Sequence, residues 1–160
     1  MPLPKLLGTM PTTGMPAPRL RYVKQDRSNA ALSDLKGGVV VLLSVPSLDT
    51  DVCARETRAF NQKAAGLGAT VLVVSVDTPF AMKRFCTTEG IENVVPGSDF
   101  RFHDMDAWGV RIAEGPMEAA TARAVWVIDK EGTIRYHELV PELGNEPDYT
   151  AALDAARKLL

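Results

Sequence analysis

Cys53 stands where an apolar run gives way to a helical pattern, and a cysteine placed there can do nucleophilic chemistry. The run Val39 to Val45 reads as a buried strand, and Pro46, Ser47, Leu48, Asp49, Thr50, Asp51 and Val52 lead from it to Cys53. Backbone N–H groups at a helix start lie free to stabilise an anion, and here the anion would be the Cys53 thiolate. An unperturbed cysteine, with a pKa of about 8.5, is only a few per cent ionised at pH 7, and the thiolate is the nucleophile. The nearest charges do not help. Asp49 and Asp51 oppose a thiolate, and Arg55, two residues on, projects from another side of the helix. A cation from elsewhere in the fold is required. Arg123, at the entrance of an apolar run from Ala124 to Asp129, is a candidate, although a solvated strand-end arginine is the plainer reading of composition alone.

Cys86 is the only other cysteine. There is no C-x-x-C, so neither a dithiol redox motif nor a zinc ribbon is available. A four-ligand zinc site would need Cys53, Cys86, His103 and His137 to converge, and no metal or cofactor is expected. The histidines read as surface or loop residues. Trp108 and Trp126 read as core or as subunit interface.

Around these residues the pattern alternates strand and helix. Residues 1–18 carry Pro2, Pro4, Pro11, Pro16 and Pro18 and are expected to be extended. Leu20 to Val23 fits a first strand, and Ala31 to Gly38 a turn of helix ending on glycine. A helix from about Asp51 to Ala65 places Cys53, Thr57, Phe60 and Ala64 on one face. Thr70 to Asp77 reads as a second buried strand. Thr78 then caps a helix with Pro79 at its first position, which carries Met82, Phe85 and Cys86 and ends near Gly90. Phe100-Arg101-Phe102 fits a short strand. Ala124–Asp129 and Thr133–Val140, joined by Lys130-Glu131-Gly132, signal a hairpin. A last helix opened by Pro147 puts Leu153, Ala156 and Leu160 on one face. This order implies an α/β, thioredoxin-like fold: a central mixed β-sheet flanked by helices, with parallel strands buried on both faces.

At 160 residues, with 46% apolar residues and a net charge of −2, the chain suits one domain over residues 1–160 and offers no electrostatic case for nucleic acid or an acidic membrane. No apolar stretch approaches the roughly 20 residues of a membrane helix, and Met1-Pro2-Leu3-Pro4-Lys5 lacks a signal-peptide pattern. A cytoplasmic location with two free thiols is expected.

Pro46-x-x-x-Thr50-x-x-Cys53 resembles the peroxidatic motif of the peroxiredoxins. The longer string from Val45 to Cys53, with Phe60-Asn61, is similar to the thiol peroxidase subfamily, the atypical two-cysteine enzymes. Phe80-Ala81, Arg84-Phe85-Cys86 and Glu89-Gly90 match its second signature, and Ala122-Arg123-Ala124-Val125 and Glu146-Pro147-Asp148-Tyr149 its C-terminal half. The resemblance implies that Cys53 is the peroxidatic and Cys86 the resolving cysteine. It implies further that Thr50 sets its hydroxyl against the thiolate and peroxide, that Arg123 holds the thiolate and polarises the peroxide, and that Pro46 shields the sulfenic acid. Hydroperoxide would be substrate, thioredoxin the reductant of an intrachain disulfide, and a homodimer the assembly.

Two departures from the family pattern stand out. Asp51 occupies a position where a neutral residue is expected, and the family's leading β-hairpin is expected to be reduced or remodelled within residues 1–18. Both cysteines fall on helices, and if these hold the sulfurs apart, one or both must locally unwind before a disulfide forms. The Thr78–Glu89 helix, with Thr87-Thr88, is expected to be marginally stable. Against the peroxidase reading stand a peroxide-sensing relay that oxidises a partner protein, and a non-catalytic interaction module with incidental cysteines.

Overall fold

The computed structural model describes residues 1–160 and contains a seven-stranded sheet with the order β3-β2-β6-β5-β4-β8-β9. The strands are β2 (Arg21–Val23), β3 (Asn29–Ala31), β4 (Val40–Ser44), β5 (Thr70–Ser75), β6 (Val94–Ser98), β8 (Ala124–Ile128) and β9 (Ile134–Leu139). A separate two-stranded ribbon joins β1 (Leu6–Leu7) to β7 (Arg111–Ile112). The helices are α1 (Asp51–Lys63), α2 (Pro79–Glu89) and α3 (Tyr149–Arg157).

β4, β5 and β6 run parallel, and β8 and β9 add antiparallel at the other side. The chain steps across the sheet in one direction from β4 to β6, so two right-handed crossovers set α1 and α2 on the same face. The strand residues alternate accordingly. Val41, Leu43 and Val73 pack with Phe60 of α1, Met82 and Phe85 of α2, and Leu153 of α3. Val40, Leu42 and Leu72 point the other way, towards Met105, Trp108 and Trp126. That second face is covered by the segment after β6, including a 3-10 turn over Asp104–Trp108, and by apolar residues of the N-terminal stretch such as Leu3 and Leu6. The two indoles meet edge to face at 4.9 Å and are fully buried, so both tryptophans are core.

Most expected elements are present with the expected punctuation. Thr78 caps α2 through its side chain, Pro79 sits at the first helical position, and Gly90 ends the helix at a φ of 66°. That left-handed conformation is one glycine adopts without strain. Two expectations change. Phe100-Arg101-Phe102 is not a strand: the strand is β6, just upstream, and these residues turn away from it. β6 holds Pro96 and Gly97, yet β2 reaches it only through Val23 and Ser98, so most of β6 behaves as an edge where proline is tolerated. Gly97 is needed because a Cβ there would lie 2.7 Å from the Tyr22 ring. Finally, α3 is capped by Asp148 and stops at Arg157, which leaves Leu160 half exposed instead of on the buried face.

No helix is long and apolar enough to cross a membrane.

Candidate active site

β4 delivers the Cys53 turn at its C-terminal end. Pro46 is buried directly after the strand, and the turn closes when Thr50 N–H and Thr50 Oγ1–H both donate to the Ser47 carbonyl, at 3.2 and 3.1 Å. Thr50 then caps α1: its Oγ1 accepts from Cys53 N–H at 3.3 Å. A threonine N-cap is worth about 1 kcal/mol to a helix. Here it also fixes the backbone of the cysteine. The Thr50 hydroxyl proton points at Ser47, so the cap geometry places this oxygen beside the cysteine backbone. Cys53 lies in the first turn of α1 and is fully buried.

The required cation comes from 70 residues away, and sheet register brings it there. β8 is antiparallel to β4 with Ala124 opposite Ser44, so the residue entering β8 lies beside the residue leaving β4. Two hydrogen bonds lock this edge: Ser44 Oγ donates to the Ala122 carbonyl at 2.7 Å and Thr121 Oγ1 to the Val45 carbonyl at 2.8 Å. Arg123 is therefore not a solvated strand end. It is 2% exposed, and its Nη1 donates to Cys53 Sγ at 3.2 Å. Nη2 donates to the Leu143 carbonyl at 3.0 Å, while Nε is buried without a partner.

A residue that sequence reasoning missed completes the cluster. Glu56, one turn beyond Cys53 on the buried face of α1, accepts from the same Arg123 Nη1 at 2.7 Å. It is fully buried, and its Oε1 has no partner. Burial pushes its carboxyl up to about 7, against the pull of Arg123. The signal was available. A glutamate three residues from Cys53 and four from Phe60 interrupts an apolar face, and a carboxylate there needs a buried cation.

Asp49 and Asp51, expected to oppose a thiolate, are both exposed. The Asp49 carboxylate is met by Arg84 Nη2 at 3.1 and 2.9 Å. Arg55 is exposed, as its helical position required. A second missed residue, Asp77 after β5, braces the turn: it accepts from Ser47 Oγ at 2.7 Å, from Leu48 N–H at 2.8 Å and from Ser75 Oγ at 2.7 Å. A groove of about 320 Å³ lies between the Cys53 turn, α1 and α2, bordered by Leu48, Thr50, Ala54, Arg58, Phe85 and Glu89.

Cys86 is buried on α2, on the same sheet face as Cys53. Both thiols are free. Burial raises the Cys86 pKa and so holds it as the neutral thiol. His103 and His137 are exposed, and His137 Nδ1 is 2.8 Å from Thr13 Oγ1. No group of three or more His, Cys, Asp or Glu side chains is arranged to hold a metal ion. The constellation is thus a buried cysteine at a helix start, a capping threonine, a buried proline and one guanidinium shared between sulfur and carboxylate. Such a site suits a thiolate attacking a small electrophile with water kept out.

Comparison with known proteins agrees. The Redoxin family model matches residues 12–153. The chain is 53% identical over 160 residues to a thiol peroxidase of Leptospira interrogans, covering 98% of this chain and 94% of that protein. It is 48% identical over 149 residues to a thiol peroxidase of Mycobacterium tuberculosis, covering 93% of this chain and 90% of that one. A peroxiredoxin-like protein from Aquifex aeolicus superposes with a TM-score of 0.93 at 44% identity, over 97% of this chain and 91% of the other.

Proposed function

The chain belongs to the Redoxin family, in the thiol peroxidase branch of the peroxiredoxins, and from that premise we propose how its own residues carry out a peroxidase cycle. Cys53 is the peroxidatic cysteine. Its thiolate attacks one oxygen of a hydroperoxide; an S–O bond forms, the O–O bond breaks, and the departing oxygen takes a proton to leave as water or alcohol. Sulfur is oxidised by two electrons to sulfenic acid. The observation that carries this reading is the 3.2 Å contact from Arg123 Nη1 to Cys53 Sγ inside a closed site. Arg123 holds the thiolate, and its unpartnered Nε is a donor for a peroxide oxygen. Thr50 fixes the backbone of Cys53 and presents its oxygen beside it, and buried Pro46 keeps water from the sulfenic acid.

Cys86 is the resolving cysteine. Its thiol condenses with the Cys53 sulfenic acid, an S–S bond forms and water leaves. A dithiol protein of the thioredoxin type then reduces the disulfide by exchange, becoming oxidised itself. Both hydrogen peroxide and organic hydroperoxides are substrates. The 160 residues work as one domain in a reducing cytoplasm, where such a dithiol is supplied. The working assembly is a homodimer; exposed Phe80 and Phe100, near the site end of the sheet, favour a covered surface there.

The test is kinetic. With hydroperoxide, thioredoxin, thioredoxin reductase and NADPH, the protein turns over continuously. Cys53→Ser consumes no peroxide, and Cys86→Ser gives one sulfenate-forming turnover without recycling. Full turnover in Cys53→Ser sinks the assignment. Slow turnover, with efficient oxidation of one partner protein, moves it to a signalling relay.

A further inference from the structure

The helix that carries Cys86 is anchored beyond both ends and tied between them by two exposed ion pairs. On its N-terminal side, Asp77 holds Ser47 and Leu48 of the Cys53 turn. Beyond its C-terminal end, Asn61 of α1 accepts at Oδ1 from Glu92 N–H at 2.9 Å and from Asn93 N–H at 2.6 Å. Between these anchors, α2 reaches towards α1 and its turn through two side-chain links. Arg84 Nη2 meets both Asp49 oxygens, and Arg58 Nη1 meets Glu89 Oε2 at 3.1 Å. Arg84 precedes Cys86 by two residues and Glu89 follows it by three, so the pairs bracket the thiol.

We propose that the Asp49–Arg84 and Arg58–Glu89 pairs are latches that set how fast Cys86 reaches the oxidised Cys53, with Asp77 and Asn61 marking the limits of the segment that opens. The four latch residues are positioning residues for the resolving step, and the proposal rests on Cys86 being the resolving cysteine. The difference in strength between anchors and latches decides which gives way. The anchors are bonds from the backbone N–H groups of Leu48, Glu92 and Asn93, with a hydroxyl bond from Ser47 added at Asp77. The Asp49 and Arg84 side chains are 55% and 67% exposed, and an exposed ion pair shifts an equilibrium by only about two- to fivefold and weakens with salt. The latched segment keeps Cys86 buried, as a neutral and poorly nucleophilic thiol. Opening it both frees the thiol and lets it ionise in water.

The test follows one turnover with a single equivalent of hydrogen peroxide, quenched with a thiol-alkylating reagent and resolved by mass, so that sulfenate and disulfide are timed separately. Wild-type disulfide formation should accelerate about two- to fivefold between roughly 0.02 and 0.5 M salt. Arg84→Gln and Arg58→Gln should each be faster than wild type at low salt and less salt-dependent. The reversed pair Asp49→Arg/Arg84→Asp should restore the slow, salt-dependent rate. Hydrogen exchange should quicken in residues 78–91 of Arg84→Gln but not in β6. Arg157→Gln, which removes an exposed pair on α3, should change nothing. Disulfide formation at wild-type rate in both latch variants overturns the proposal, as does a reversed pair that stays fast. If wild type forms no Cys53–Cys86 disulfide at all, the resolving assignment falls and the latch with it. A disulfide that forms at a latch-independent rate defeats the latch alone.

Discussion

Cys53 and Glu56 compete for one nitrogen: Arg123 Nη1 lies 3.2 Å from the sulfur and 2.7 Å from Oε2. Two acids and one cation, all buried, favour a single anion, because a second would be uncompensated in a medium that stabilises charge poorly. Burial raises the Glu56 carboxyl to about 7, so around neutral pH it turns into a second claimant on the guanidinium that the sulfur touches. Glu56→Gln removes the competitor and leaves the guanidinium charge to the sulfur. The expected outcome is more thiolate absorbance near 240 nm at pH 7–8, where the Glu56 carboxyl ionises, than in wild type, with faster sulfenate formation there. An identical absorbance titration in the two proteins would show that the carboxylate does not compete.

Stability gives the same residue a second, independent readout. The Glu56 carboxyl is raised from 4.5 to about 7 in the folded protein, so between those pH values the native state keeps a proton that the unfolded chain releases. Stability therefore falls as pH rises through this window, and the loss is complete above about pH 7. Its size is about 3 kcal/mol, at about 1.4 kcal/mol per pKa unit. Urea melts in a Cys53→Ser background, which removes the thiol's own titration, should show Glu56→Gln gaining about this much on its parent between pH 4.5 and 8. A constant difference across that range contradicts the burial argument.

Arg123 serves both neighbours, and a double variant separates the two services. Alone, Arg123→Ala strands a buried carboxylate and should cost about 3–5 kcal/mol at pH 8. Adding Glu56→Gln should return most of that stability. Peroxide reduction should not return with it, remaining roughly 100-fold or more below wild type in single turnover, because the sulfur still lacks its cation. Recovery of both together would mean that the arginine matters only for folding.

How far the site could be read from sequence follows from how local each part is. Pro46, Thr50 and Cys53 share one turn, and turn and cap chemistry is written in adjacent residues. Arg123 depends on Ser44 lying opposite Ala124, a register that no local pattern carries; its place at a strand entrance makes it a candidate, and only the family resemblance favours it over a solvated strand end. Glu56 was overlooked because the helical face was traced through its apolar members, and the polar exception on a buried face is the informative residue. β6 has no clean strand pattern because Pro96 and Gly97 interrupt it, although Gly97 is what lets the Tyr22 ring lie against the strand. Asp77 has the look of an ordinary acidic turn residue, and the two partners in the Cys53 turn sit 29 and 30 positions away.

Asp77 yields the last prediction. Its carboxylate takes three donors, from Ser47 Oγ, Leu48 N–H and Ser75 Oγ, and Ser47 in turn carries the Thr50 cap through its carbonyl. Asp77→Ala leaves those donors without their acceptor, and hydrogen bonds to a charged group are worth about 1.5–3 kcal/mol each. A loss of about 3 kcal/mol is expected after water fills in, with slower sulfenate formation because the Thr50–Cys53 backbone loosens. Asp77→Asn keeps one acceptor oxygen for Leu48 N–H and should fall between the two proteins in both measurements. Reduction of the preformed disulfide by a small dithiol should be no slower, since that step does not need a closed turn. Urea melts and stopped-flow first turnovers together decide the matter: a destabilised Asp77→Ala that forms sulfenate at the wild-type rate would make Asp77 a brace for the fold alone.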